Sequence, residues 1–403
     1  MPKPLFITNT ARGGSGVIAR MLNASKQVNI ASEAYLDLFR SLRNRIVKNS
    51  DDPELSSLVL DQEPFYDYYF SPNHLKIFHC IQNCSCIDIK FEKNEWKRML
   101  GPLVERGYLE NKELVPYFAK TCSDTYLGSI QKALENIPIA RNINASTLKW
   151  VGIKDAWIIE LFLPLAKSFP DAKFIIILRD PRSSISSNQR VADQTRVAHV
   201  QSFAKSWRKH LAFTIHYQNH PLFRDRLYVI QYEQFVREPD KKAKELCNFL
   251  DLTFDKSMLE TDNYFDYSSG ETWKGNSNYR DVMKGIRSDH TDRWRASLPE
   301  EIIKTIELVC DPDIRLLGLE PLFSTEVIWK EPDILEFLLR DTEGNKAWQN
   351  IFGRLEMDYG FELFRKTLIT SAKKNFDSNL IERAFLFEEV FNLLRKTPVT
   401  PIF

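Results

Sequence analysis

The residue types best suited to chemistry begin at Arg12-Gly13-Gly14-Ser15-Gly16. Glycine lets a ligand approach the backbone closely, Ser15 offers a hydroxyl, and Arg12 offers a planar fork of donors with permanent charge. A short apolar run, Leu5 to Ile7, precedes this stretch, and Val17, Ile18, Met21 and Leu22 follow it at helical spacing. A strand, a glycine-rich turn and a helix bring backbone N–H groups and the positive end of a helix dipole to one point, which favours a phosphate or another oxyanion. Neither common nucleotide fingerprint is satisfied here: no Lys-Ser or Lys-Thr follows Gly16, and the spacing is not G-x-G-x-x-G.

A second cation stands at Arg179, where the apolar run Lys173 to Leu178 stops; Asp180, Pro181 and a serine-rich stretch to Ser187 follow. Ser187 lies two helical turns beyond, placed to offer a hydroxyl to an anion held by Arg179. Lys154 closes a third run, Lys149 to Ile153. Three cations at three predicted strand ends point to one edge of a sheet, where open parallel sheets bind ligands. Two phosphate-type sites on that edge suggest a ligand with two anionic groups, such as a nucleotide bisphosphate.

The elements that position these residues form an α/β pattern. Trp150 to Ile153, the apolar segment Trp157 to Ser168 and the strand Lys173 to Leu178 make a βαβ unit. A strand without polar interruption is one covered by helices on both faces. A long helix over about 200–218 leads to a strand at Arg226 to Gln231, a loop opening at Tyr232, and a helix over Lys241 to Leu250. Val28 to Arg40 is expected to turn into a second amphipathic helix. Residues 41–148 form a helical and loop insertion, with Phe65, Tyr66, Tyr68, Tyr69 and Phe70 as a core cluster. Residues 255–293 are loop-like, and a helix starts at Pro299-Glu300-Glu301. The expected division is 1–323 for the main domain and 324–403 for a helical C-terminal extension, through which an oligomer is possible.

The chain has 403 residues, 43% hydrophobic and 27% charged, with a net charge of +1, which describes a folded globular chain. With no global field, attraction to nucleic acid or to a membrane surface is not expected, and an anionic ligand must be held by local charge. No apolar run reaches about 18 residues and the first strand begins near residue 4, so a cytoplasmic protein is expected. Cys80, Cys84 and Cys86 lack paired metal-ligand spacing, and reduced thiols are expected. His79, His199 and His290 lie in no stretch that suggests a base, and no metal is expected.

Taken in order, these stretches resemble the PAPS-dependent sulfotransferases, and within them the tyrosylprotein sulfotransferases and bacterial sulfotransferases. A-R-G-G-S-G-V-I-A-R-M-L resembles the family's 5′-phosphosulfate loop, and F-P-D-A-K-F-I-I-I-L-R-D-P-R-S-S-I-S-S its 3′-phosphate motif. G-I-K-D, V-I-Q-Y-E-Q-F and W-K-G-N-S-N-Y with T-D-R-W-R resemble its later segments. The resemblance covers roughly 4–40 and 149–320 and implies a P-loop-like parallel sheet flanked by helices. It also implies PAPS as co-substrate, with no metal. Arg12, Gly13, Gly14, Ser15 and Gly16 would cradle the 5′-phosphosulfate, and Arg179 and Ser187, at the family's interval of eight residues, the 3′-phosphate. Tyr232 would lie along the nucleotide, with Ser277 and Lys284 in a closing loop. Glu33, twenty-one residues after Arg12 as in the tyrosylprotein enzymes, would be the base, with Arg12 and Lys154 stabilising charge as the sulfuryl group leaves. The family's loop commonly reads R-S-G-T-T; here Ser15 is its one hydroxyl.

The expected function is transfer of a sulfuryl group to an acceptor hydroxyl on a sugar, tyrosine, lipid or small alcohol by in-line displacement. A catalytically idle nucleotide-binding relative is the alternative from another class. A P-loop-like kinase is disfavoured by the missing Lys-Ser/Thr and magnesium ligands.

Overall fold

The computed structural model describes residues 2–56, 72–156, 158–192, 200–275, 285–324, 356–373, 375–396 and 399–403. Its centre is a five-stranded, all-parallel sheet: β1 (Lys3–Asn9), β2 (Val28–Ser32), β3 (Trp150–Lys154), β4 (Lys173–Leu178) and β5 (Leu227–Gln231). The spatial order is β2-β3-β1-β4-β5. From β1 the chain runs out to β2, returns through β3 and then crosses β1 to β4 and β5. Ile7 of β1 and Ser32 of β2 both pair with Lys154, while Asn9 of β1 pairs with Ile177 of β4, so every strand ends on the same rim.

Alternate residues of the central strands feed two cores, as burial on both faces requires. Phe6, Phe174, Ile176 and Ile153 face one side, with α2 (Leu36–Lys48) and the helix Val200–Asn219. Leu5, Ile7, Ile175, Ile177 and Ile30 face the other, with α1 (Ser15–Asn23) and the helix Pro239–Phe249.

Two elements differ from the sequence expectation. Val28–Ser32 is a strand rather than the approach to a helix, because hydrogen bonding to β3 supplies what so short a run cannot signal alone. Tyr232 opens the short helix Tyr232–Arg237 rather than a loop. Within 41–148 the helix Glu95–Glu110 lies along α2, tied to it by Arg45 on Glu95 and by Arg106 on Asp37 (Nε to Oδ2, 3.1 Å). The aromatic cluster at 65–70 lies outside the described residues.

Beyond residue 355 the helices Glu356–Thr370, Ser378–Phe385 and Glu388–Leu394 pack on the main body. Two buried ion pairs join them to it: Arg208 with Glu362 at 2.7 Å and Arg365 with Asp313 at 2.8 Å.

Candidate active site

The rim of the sheet can be followed strand by strand. In spatial order the strand ends deliver Glu33 after β2, Lys154 at the end of β3, the turn Thr10–Gly16 after β1, Arg179 after β4 and Tyr232 after β5. Residues scattered over more than two hundred positions of sequence therefore occupy one edge.

The turn after β1 is shaped by its glycines. Gly13 donates its N–H to Thr10 O at 3.0 Å, and Gly14 has φ 88°. The ring of Tyr232 packs directly on Gly14: a Cβ there would come within 2.3 Å of it. Only glycine fits both the conformation and the contact. Helix α1 then starts at Ser15 with no side-chain cap and no acid in its first turn, which leaves the dipole's positive end for an anion.

Arg12, itself left-handed at φ 60°, donates from Nε to Ser187 Oγ at 3.3 Å. Arg179 Nη1 donates to Arg12 O at 2.9 Å, and its guanidinium lies 4.7 Å from the centroid of Tyr232. Trp207 Nε1 donates to Arg179 O at 2.8 Å and fixes the backbone there. Arg179 is buried, and its Nε is a buried donor with no hydrogen-bond partner among the described residues. An orphaned cationic donor beside an uncapped helix start suits a phosphate oxygen. The alternative that Asp180 neutralises Arg179 does not hold. Asp180 pairs instead with Arg182 at 2.9 Å, and Arg182 pairs also with Glu307.

Glu233, next to Tyr232, accepts the Asp180 N–H at 3.0 Å on one carboxyl oxygen. Burial, then repulsion from Asp180, pushes its carboxyl up to about 7, against the pull of Arg179.

One strand over from the glycine turn the chemistry changes. Lys154 Nζ pairs with Glu33 Oε1, and the N–H of Ala156 approaches Glu33 Oε2 at 3.5 Å. Glu33 precedes α2 rather than lying within it. It sits in the left-handed turn, φ 56°, that leaves β2, and its N–H donates to Lys154 O at 2.7 Å. Asp155 completes the clasp by accepting the Tyr35 N–H at 3.3 Å. It is fully buried, and burial followed by repulsion from Glu33 raises its carboxyl well above the ordinary range.

The structure thus divides the sequence-derived set. Arg12, Gly13, Gly14, Ser15, Gly16, Arg179, Ser187 and Tyr232 gather around β1, β4 and β5. Glu33 and Lys154 form a pair at β2 and β3, and the Arg12 side chain reaches toward Ser187 rather than toward that pair. Ser277 and Lys284 lie outside the described residues, as does His199. His79 pairs with Glu382 at 3.1 Å. Cys80, Cys84 and Cys86 are free thiols, and among the described residues no group of three or more His, Cys, Asp or Glu side chains is placed to hold a metal. Sequence reasoning missed Asp155, Glu233 and Arg106; the signal available for the first two was a carboxylate directly beyond a predicted strand-end residue.

A five-stranded parallel sheet in this order, with a glycine turn and arginines on its carboxyl rim, defines a P-loop-like α/β protein. The chain belongs to the sulfotransferase family, whose model matches residues 4–256. A carbohydrate sulfotransferase 3 of Tetronarce californica is 25% identical over 178 residues, 40% of this chain and 39% of that protein. A protein-tyrosine sulfotransferase of Drosophila melanogaster is 24% identical over 208 residues, 51% of this chain and 39% of that protein. The match thus spans about two fifths of the length of these curated relatives. Among solved structures, the sulfotransferase domain of the Synechococcus PCC 7002 olefin synthase aligns with TM-score 0.41 and 18% identity, covering 74% of this chain and 90% of that one.

The expectation of a cytoplasmic protein does not stand: it rested on the lack of a long apolar run, and the curated relatives that the chain matches, a carbohydrate and a protein-tyrosine sulfotransferase, give it no support. Among the described residues no helix is long and apolar enough to cross a membrane, but that observation does not assign a compartment.

Proposed function

We propose that the chain transfers the sulfuryl group of PAPS to an acceptor hydroxyl by in-line displacement, with Glu33 as general base. The observation that carries this reading is the Glu33–Lys154 pair, set one strand away from the Arg12–Ser187–Arg179 group. PAPS supplies an activated sulfuryl group between two anionic ends. Arg179, Ser187 and Arg12 would hold the 3′-phosphate, with Tyr232 along the nucleotide. The Gly13–Gly16 turn and the start of α1 would hold the 5′ end. Glu33 would take the proton of the attacking hydroxyl, and Lys154 would place its charge where negative charge develops on the leaving oxygen. The Ala156 N–H and the Lys154 carbonyl fix Glu33 from both ends, so little reorganisation is needed at the moment of proton transfer. Both curated relatives described above are named for hydroxyl-bearing acceptors, a carbohydrate and a protein tyrosine, which supports a hydroxyl nucleophile.

Glu33→Gln tests the assignment. Turnover of labelled PAPS with a panel of sugar and tyrosine acceptors should fall by roughly a hundredfold or more, while PAP binding by calorimetry stays within about twofold of wild type. Near-normal turnover in that variant removes Glu33 as base. A preference for ADP with magnesium over PAP would overturn the nucleotide assignment.

A further inference from the structure

The helix Glu95–Glu110 ends on a carboxylate that local physics disfavours. Its last turn carries no basic residue, and Glu110 sits at the negative end of the helix dipole. The Glu110 carboxylate has no hydrogen bond or ion pair among the described residues. A violation of local preference without a compensating partner points to a functional position.

Its place in the fold is fixed by its neighbour. Asn111 is buried and donates from Nδ2 to Ser32 O, while its own side-chain oxygen accepts from Arg141 Nη2 at 3.0 Å. Ser32 immediately precedes Glu33, so this hydrogen bond ties the end of the helix that carries Glu110 to the strand end that carries Glu33. Four residues back, Arg106 lies on the same helix face and is held by Asp37. Glu110 is exposed to solvent. Loss of hydration, then repulsion from Glu33, raises its carboxyl, opposed by Lys154, Arg20 and Arg106. Glu33, Asp37, Asp155 and Glu110 thus face Lys154, Arg106 and Arg20, with Arg20 shared with Asp266.

We propose that Glu110 is a specificity-determining residue on the acceptor side of the site, and that it selects acceptors bearing a cationic or neutral group near the reacting hydroxyl over anionic ones. This rests on the sulfuryl-transfer reading, in which Glu33 marks where the hydroxyl sits. A fixed carboxylate close to the reacting centre attracts an ammonium, accepts hydrogen bonds from neutral hydroxyls, and repels a carboxylate.

The test uses two sets of probes matched in shape and differing in charge: tyramine, para-cresol and para-hydroxyphenylacetate, and glucosamine, N-acetylglucosamine and glucuronate. Each is titrated into the full chain saturated with PAP. Within at least one set the ammonium compound should bind tightest and the carboxylate weakest, with roughly tenfold between them. Glu110→Gln should flatten that order and Glu110→Lys should invert it, both with PAP affinity unchanged. Charge-indifferent binding, a preference for the anion, an order that survives Glu110→Lys, or no binding of any probe to a PAP-loaded protein overturns the proposal alone. Failure of the wild type to bind PAP removes the nucleotide reading and this proposal with it.

Discussion

Arg12, Gly14 and Ser15 sit within a single strand-to-helix turn, whereas Glu33 draws its surroundings from segments far apart in sequence. Around the turn, glycine conformation and an uncapped helix start create much of the proposed anion site locally, and Arg179 and Tyr232 add to it from the next strand ends. Around Glu33 the ties are long-range: Lys154 to Glu33, Asp155 to Tyr35, Arg106 to Asp37 and Asn111 to Ser32. The lesson concerns what each half must recognise. A nucleotide end is a compact oxyanion that a few backbone groups and a guanidinium satisfy. An acceptor must be enclosed and oriented, which calls for a wall from another element, the part proposed here for the helix Glu95–Glu110.

Removing Arg179 separates the halves most sharply. Arg179→Ala should weaken PAP binding by roughly ten- to a hundredfold, the worth of charge-assisted hydrogen bonds, with acceptor KM unchanged at saturating PAPS. A loss of acceptor affinity instead would merge the two halves. Asn111→Ala probes the opposite side. Freeing the end of this helix should raise acceptor KM, and so lower kcat/KM, by about tenfold, with PAP affinity within about twofold. Equal losses in both would show that the tie to Ser32 supports the whole rim. The smallest effect concerns Glu233. Its carboxyl is raised in the folded protein, so the stability it contributes is full below the ordinary glutamate range and is lost as pH rises toward 7. Between pH 4.5 and 7 the wild type should therefore lose on the order of 2 kcal/mol more stability in urea titrations than Glu233→Gln. Parallel curves would show that the carboxyl does not titrate in that window.

The same contrast governs what could be read from the sequence. The strand Lys173–Leu178 was legible to the residue because a continuous apolar run bounded by a turn and an Arg-Asp-Pro has few other solutions. The glycine turn was legible because its residues are adjacent. β2 was not, since Val28–Ser32 takes its identity from pairing with β3 and leads within four residues into α2. Glu33 was singled out by its interval from Arg12 through family resemblance, and its setting beyond a strand end was not legible because β2 was not. Arg106 and Glu110 look like an ordinary solvated helix face, and only the fold turns that face toward the rim. Arg12 was expected beside the transferring group, and the hydrogen bond of its Nε to Ser187 Oγ, 175 residues away, could not be read from the spacing.

The buried pairing of Arg208 with Glu362 bears on where a recombinant boundary can be drawn. Arg208 follows Trp207, whose indole holds the Arg179 carbonyl, and Asp313 is likewise matched from the C-terminal helices by Arg365. Ending the polypeptide at residue 323 would strand a guanidinium and a carboxylate in the interior. The disturbance would begin one residue from the indole that holds the Arg179 carbonyl. The helix Glu356–Thr370, far from the rim in sequence, is part of its foundation.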